Sequence, residues 1–89
     1  MPRISFTNQL ERFLPAPTVE VEGATLREAL DAVFAANPML RGYVLDDQGA
    51  LRQHVAVFVN GVAAADRTGL TDPVAPQDEI HVLQALTGG

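Results

Sequence analysis

The sequence predicts an α+β fold, a mixed sheet of four to five strands packed on one main helix, and three observations predict it. Two strand-like stretches precede a single amphipathic helical segment, and two more apolar strand patterns follow it. Turn residues punctuate the intervals between them.

In "RISFTNQL", Ile4 and Phe6, with Asn8 in step, share one face against Ser5 and Thr7, the period-2 pattern of a strand. Pro15 and Pro17 then mark a turn. "TVEVEG" alternates Val19 and Val21 with Glu20 and Glu22, as a half-buried antiparallel strand does, so these two strands should form a hairpin. In "ATLREALDAVFAANP", Thr25 is a good N-cap and Glu28 stands three residues on as its capping-box partner. Leu26, Ala29, Leu30, Val33 and Phe34 recur at helical spacing, and Asn37-Pro38 stops the helix. Residues 39–50 carry loop and turn signals, with Asp46, Asp47 and Gly49 favouring turns over ladders. "HVAVFVNG" is a β-branched run that ends at about Val59 before Asn60-Gly61, the strongest short turn signal in the chain. A short strand, the proline-bearing "GLTDPVAPQDE" and a final strand "IHVLQAL" complete the order β-β-α-β-(short β)-β.

Bulk properties narrow the function classes. At 89 residues the chain is expected to form one domain over residues 1–89, and 47% hydrophobic residues provide a core that offsets the ordering entropy. No apolar run approaches the roughly 20 residues of a membrane helix, and "MPRISFTNQL" has no signal-peptide core, so a cytoplasmic location and no membrane partner are expected. A net charge of −5, with Arg3, Arg12, Arg27, Arg41, Arg52 and Arg67 scattered one per segment, argues against a nucleic-acid partner. The sequence holds no Cys, which excludes thiol chemistry and disulfides, and no Lys, which removes every side-chain amine that a second copy would need for an isopeptide bond.

The strand and helix order is the layout of a ubiquitin-like β-grasp domain. "VFVNG" from Val57 to Gly61, "GLTDPVAPQDEIHVL" from Gly69 to Leu83, and Gly88-Gly89 resemble the MoaD/ThiS family of sulfur carrier proteins over essentially the whole chain. A Gly-Gly tail lacks Cβ atoms and can lie extended in a narrow active-site channel, which suits a flexible tail over residues 86–89. The resemblance implies that the Gly89 α-carboxylate, presented with Gly88, is the reactive group. It further implies three partners: an ATP-dependent adenylating enzyme related to ubiquitin-activating proteins, a sulfur donor, and a downstream sulfur-accepting enzyme. ATP is then used by the activating enzyme, with no cofactor or metal bound by the carrier, which is a protein cosubstrate rather than an enzyme. Molybdopterin-branch carriers usually place prolines before a Val-Ala-Gly-Gly tail, where this chain has Gln84, Ala85, Leu86 and Thr87. With the extended 39–55 segment, this departure resembles carriers that feed amino-acid, including cysteine, or specialised-metabolite synthesis rather than molybdopterin or thiazole.

No separate catalytic centre can be assembled from the residue inventory. His54 and His81 are the two histidines, each at a strand position where an ordinary side chain is the simpler reading, and Asp46-Asp47 lacks the further oxygen ligands of a cation loop. Phe58 falls out of step with Val57 and Val59, while His81 and Leu83 oppose Ile80 and Val82. These residues form either an exposed docking patch or the lid of a second minor core. With Leu86 and Thr87 of the tail they are the candidate partner-binding residues; Glu20 and Glu22 offer a partner negative charge. The sequence therefore leaves three classes: a sulfur carrier, a ubiquitin-like protein modifier conjugated through Gly89, and a β-grasp interaction domain whose tail is idle.

Overall fold

The computed structural model describes residues 1–6 and 18–84, and among these five short strands and two helices are built around one apolar cluster. The strands are β1 (Arg3–Phe6), β2 (Thr18–Glu20), β3 (Val55–Val59), β4 (Val62–Ala63) and β5 (Glu79–Gln84); the helices are α1 (Leu26–Ala36) and α2 (Pro38–Val44). The sheet order is β2-β1-β5-β3-β4. Strands β1 and β5 run parallel at its centre and the remaining neighbours pair antiparallel, so the expected mixed sheet has five strands. The predicted β1–β2 pairing is present, with Ile4 opposite Val19; the Pro15 and Pro17 turn and Asn8 lie outside the described residues.

Alternation decides which face is covered. Ile4 and Phe6 of β1, Val55 and Val57 of β3, and Ile80 and Val82 of β5 are buried in one cluster with Leu26, Ala29, Leu30, Val33 and Phe34 of α1. Each such large side chain contributes about 1.5–3 kcal/mol on leaving water. Helix α1 begins as the sequence predicts, with the Glu28 amide donating to Thr25 Oγ1 at 3.3 Å. The return bond is displaced by one residue, since Glu28 Oε1 accepts from the amide of Ala24 at 2.8 Å. Loop carbonyls satisfy two further orphan donors: the amides of Leu26 and Arg27 donate to Asp72 and Leu70.

Residues 39–44 correct the expectation of a loop through position 50. Pro38 ends α1 but also occupies the first turn of α2, where its fixed φ and missing N–H are tolerated. Leu40 and Val44, four residues apart, are both buried, so about two turns of helix close the open side of the core. The turn signals act just beyond it: the Asp46 carboxylate accepts from the amides of Gln48 and Ala50 at 2.9 and 3.0 Å, and Leu45 bridges Leu51.

The "GLTDP" segment clamps the start of α1. Leu70 is fully buried despite a φ of 55°, a conformation a non-glycine residue adopts only when its surroundings hold it there. Those surroundings centre on Asp66. Its carboxylate accepts from the hydroxyl of Thr71 at 2.6 Å, the amide of Gly69 at 2.8 Å and the hydroxyl of Thr68 at 3.1 Å. These donors, led by Thr71, hold the Asp66 carboxyl far below its ordinary 3.8. The unfolded chain therefore takes up a proton at Asp66 before the folded one does. The contribution of Asp66 is complete above about pH 4 and is lost progressively as the pH falls below that ordinary value. Urea midpoints measured from pH 7 to pH 3 should fall for the parent chain. They should fall less for Asp66→Asn, so that the gap between the two narrows in acid.

Candidate functional site

The alternation that buries Ile80 and Val82 turns the intervening residues of β5 to the other face of the sheet. Strand register then fixes their neighbours: His81 pairs with Phe58 of β3 on one side and Ser5 of β1 on the other, while Leu83 pairs with Ala56. A row runs across the uncovered face as Thr18, Ser5, His81, Phe58 and Ala63, with Ser5 Oγ and Thr18 Oγ1 3.0 Å apart at one end. Leu83 and Ala56 form the next row toward the end of β5. Leu83 is 43% exposed, His81 is exposed and Phe58 half-buried, so Phe58, His81 and Leu83 share an accessible face and cover no second core among the described residues.

A hairpin locks this face at the start of β5. Asn60 (φ 51°) and Gly61 (φ 84°) take the two left-handed positions of a tight turn between β3 and β4, which is why "NG" stands there. The Asn60 side chain accepts from the amide of Glu79 at 3.0 Å and donates to the Asp78 carboxylate at 2.9 Å. The Asp78 carboxyl also accepts from the amide of Ala75 at 2.8 Å, and these bonds hold it below the ordinary carboxylate range. The motifs "VFVNG" and "APQDE" are thus two halves of one hydrogen-bonded corner, which sets the register of β5.

At its other end β5 closes against the start of β3, where Gln84 pairs with Val55. The predicted site residues Leu86, Thr87, Gly88 and Gly89 lie outside the described residues. Five residues follow Gln84 in the sequence, a reach of at most about 18 Å when extended. A shallow hollow at this exit is lined by His54, Val55, Ala56, Arg67, Leu83 and Gln84. His54 sits there at the mouth of β3, with no second histidine beside it among these lining residues. Arg67 has no counterpart in the sequence reading, because only folding brings the 64–68 segment beside the start of β3. Ala56 is different: as the residue opposite Leu83 it was accessible to strand register once β3 and β5 were known to pair.

This sheet, helix and register define a ubiquitin-like β-grasp protein. The ThiS family model matches residues 4–89, and the chain belongs to the ThiS family. The chain is 40% identical over 72 residues to small archaeal modifier protein 1 of Haloferax volcanii, covering 80% of this chain and 78% of that protein. The crystal structure of SAMP1 from Haloferax volcanii superposes with a TM-score of 0.83 at 33% identity, over 99% of this chain and 98% of that one. A chain of the Amycolatopsis orientalis BexX/CysO complex superposes with a TM-score of 0.87 over the full length of both, and at 24% identity it speaks for the fold alone. Among the described residues no helix is long and apolar enough to cross a membrane.

Proposed function

We propose that this chain is a sulfur carrier whose working group is the α-carboxylate of Gly89. The observation that carries the reading is the ThiS-family match, which runs through Gly88-Gly89, five residues beyond the Gln84 that ends β5. In the first step a carboxylate oxygen of Gly89 attacks the α-phosphorus of ATP in a partner enzyme, and pyrophosphate leaves. In the second, hydrosulfide, or an equivalent sulfur nucleophile from a donor, attacks the acyl carbon of the adenylate and AMP leaves. The product is a Gly89 thiocarboxylate, which a sulfur-accepting enzyme consumes. The carrier itself contributes the thin tail and the Phe58, His81 and Leu83 face on which its partners dock. The Gln84, Ala85, Leu86, Thr87 run in place of prolines favours an acceptor in amino-acid or specialised-metabolite synthesis.

Intact mass after incubation with a candidate adenylating enzyme, ATP and sulfide tests the reading. A gain equal to sulfur replacing oxygen, confined to the peptide ending in Gly89, is expected. Adenylation without sulfur uptake would overturn it in favour of a second reading, conjugation of Gly89 to amines of other proteins. The 40% identity to a small archaeal modifier protein supports that alternative.

A further inference from the structure

The hollow beyond the end of β5 carries a cation whose partners among the described residues are carbonyls and not carboxylates. Arg67 is exposed, yet its position is fixed from both ends: Nη2 donates to the carbonyls of Val55 at 2.7 Å and Arg52 at 2.8 Å, and its own carbonyl accepts from the amide of Leu51 at 2.9 Å. Carbonyls orient a guanidinium without neutralising it. Its Nε and Nη1 hydrogens have no partner among the described residues, whereas a guanidinium offers five donors. Arg27 makes the contrast. It is half-buried and spends its fork on the carbonyls of Gly49, Thr68 and Gly69, so it serves as an internal staple.

The nearby acids are committed elsewhere. Asp66, next in sequence, turns its carboxylate to Thr68, Gly69 and Thr71, and Asp46 accepts from its own turn while lying within electrostatic reach of Arg52. The other end of β5 carries more acids than cations, with Asp78, Glu79 and, two strands across, Glu20 around Arg3 and the Met1 amino group. On a chain of net charge −5, β5 thus runs from an acidic start to a cationic exit.

We infer that Arg67 pairs with a carboxylate on the rim of the protein that receives the tail; this rests on the carrier reading above. Five residues that reach at most about 18 Å keep that rim close to the hollow at Arg67, with Leu83 and Ala56 supplying the apolar contact beside it. With both Nη2 hydrogens on carbonyls, the guanidinium is held in place and offers its Nε–H or Nη1–H edge to a carboxylate through a charge-assisted bond. The acidic start of β5 repels the same rim, so the pair of charges allows only the docking direction that sends Gly89 inward.

The test compares carrier-dependent adenylation for the parent chain, Arg67→Gln and Arg67→Lys at low and high salt, with the adenylating enzyme that passes the mass experiment. Arg67→Gln should raise the carrier KM roughly five- to tenfold at low salt with kcat unchanged, and the gap should close at high salt, because a rim charge acts through screened encounter. Arg67→Lys should recover most of the loss. An unchanged KM and salt slope in Arg67→Gln, with the parent chain adenylated, would overturn the inference and leave the carrier reading standing. A loss that persists at high salt would assign Arg67 a merely structural role. A change in the KM for ATP instead of the carrier would assign the guanidinium to the nucleotide, and a parent chain that no activating enzyme adenylates would remove the inference together with the reading it rests on.

Discussion

Removing Gly89, or adding one residue after it, is expected to abolish sulfur loading while leaving the unfolding midpoint unchanged. The two changes fail for different reasons, which is what makes the pair informative. Deletion leaves a carboxylate, now on Gly88, but withdraws it by one residue, about 3.3–3.6 Å along an extended chain. Misplacement of about 1 Å can cost 100-fold in rate, so a whole residue should put loading below detection. Extension keeps the reach but converts the Gly89 carboxylate into a peptide carbonyl, which has no oxygen free to attack a phosphorus. Gly89→Ala separates reach from width: it retains the carboxylate in place and adds a Cβ, so its loading should be slowed and not abolished. The described fold ends with Gln84 paired to Val55, and none of these changes touches that pair, so midpoints should coincide. Intact mass after ATP and sulfide treatment reads the loading. Full loading of the extended chain would show that another group is activated, and would sink the carrier and modifier readings together.

Legibility followed the range of the interaction. Helix α1, its Thr25 cap, the Asn60-Gly61 turn and the alternation of β5 were readable because each rests on residues within a few positions of one another. Helix α2 was not, since Gly42 and Tyr43 are indifferent helix formers and Pro38 is a stop signal as well as a start. What makes it a helix is the burial of Leu40 and Val44 against a core assembled from distant segments. The residues of the uncovered sheet face divided the same way: Phe58, His81 and Leu83 stand out from strand period alone, because a Phe or Leu out of step with its apolar neighbours must face away from them. Arg67 became visible only when residues 52, 55 and 67 met at the mouth of β3, a contact no periodic pattern encodes. Asp66 lies between these cases. Asx-type bonding to Thr68 and Gly69 is local, but its purpose, holding Leu70 in the core at positive φ against the start of α1, is not.

Leu83→Asn is expected to lower kcat/KM for adenylation about 30-fold without weakening the fold by more than about 1 kcal/mol. On the fold side the argument is one of exposure. Leu83 is on the uncovered face of β5 and 43% accessible, so replacing it opens no cavity, and the cost is confined to strand propensity and its cross-strand contact with Ala56. On the binding side the same exposure is the reason for a large effect. Leu83 lies between the His81–Phe58 pair and the end of β5, so on the carrier reading the partner that takes Gly89 covers it. An apolar side chain at the centre of a desolvated contact is worth about 2 kcal/mol or more when truncated, which corresponds to roughly 30-fold. Putting an amide there adds a polar group that the partner has no arrangement to satisfy. Glu79→Gln, on the same strand and face but at its acidic start, should leave kcat/KM within about twofold, since substitutions away from the contact are usually worth under 0.5 kcal/mol. Steady-state adenylation with urea unfolding alongside separates the two effects. If Leu83→Asn were activated as well as the parent chain, the sheet face would not be the surface that the activating enzyme reads. Recognition would then have to come from residues 85–89 and the hollow at Arg67, and short peptides ending in Gly88-Gly89 would become substrates.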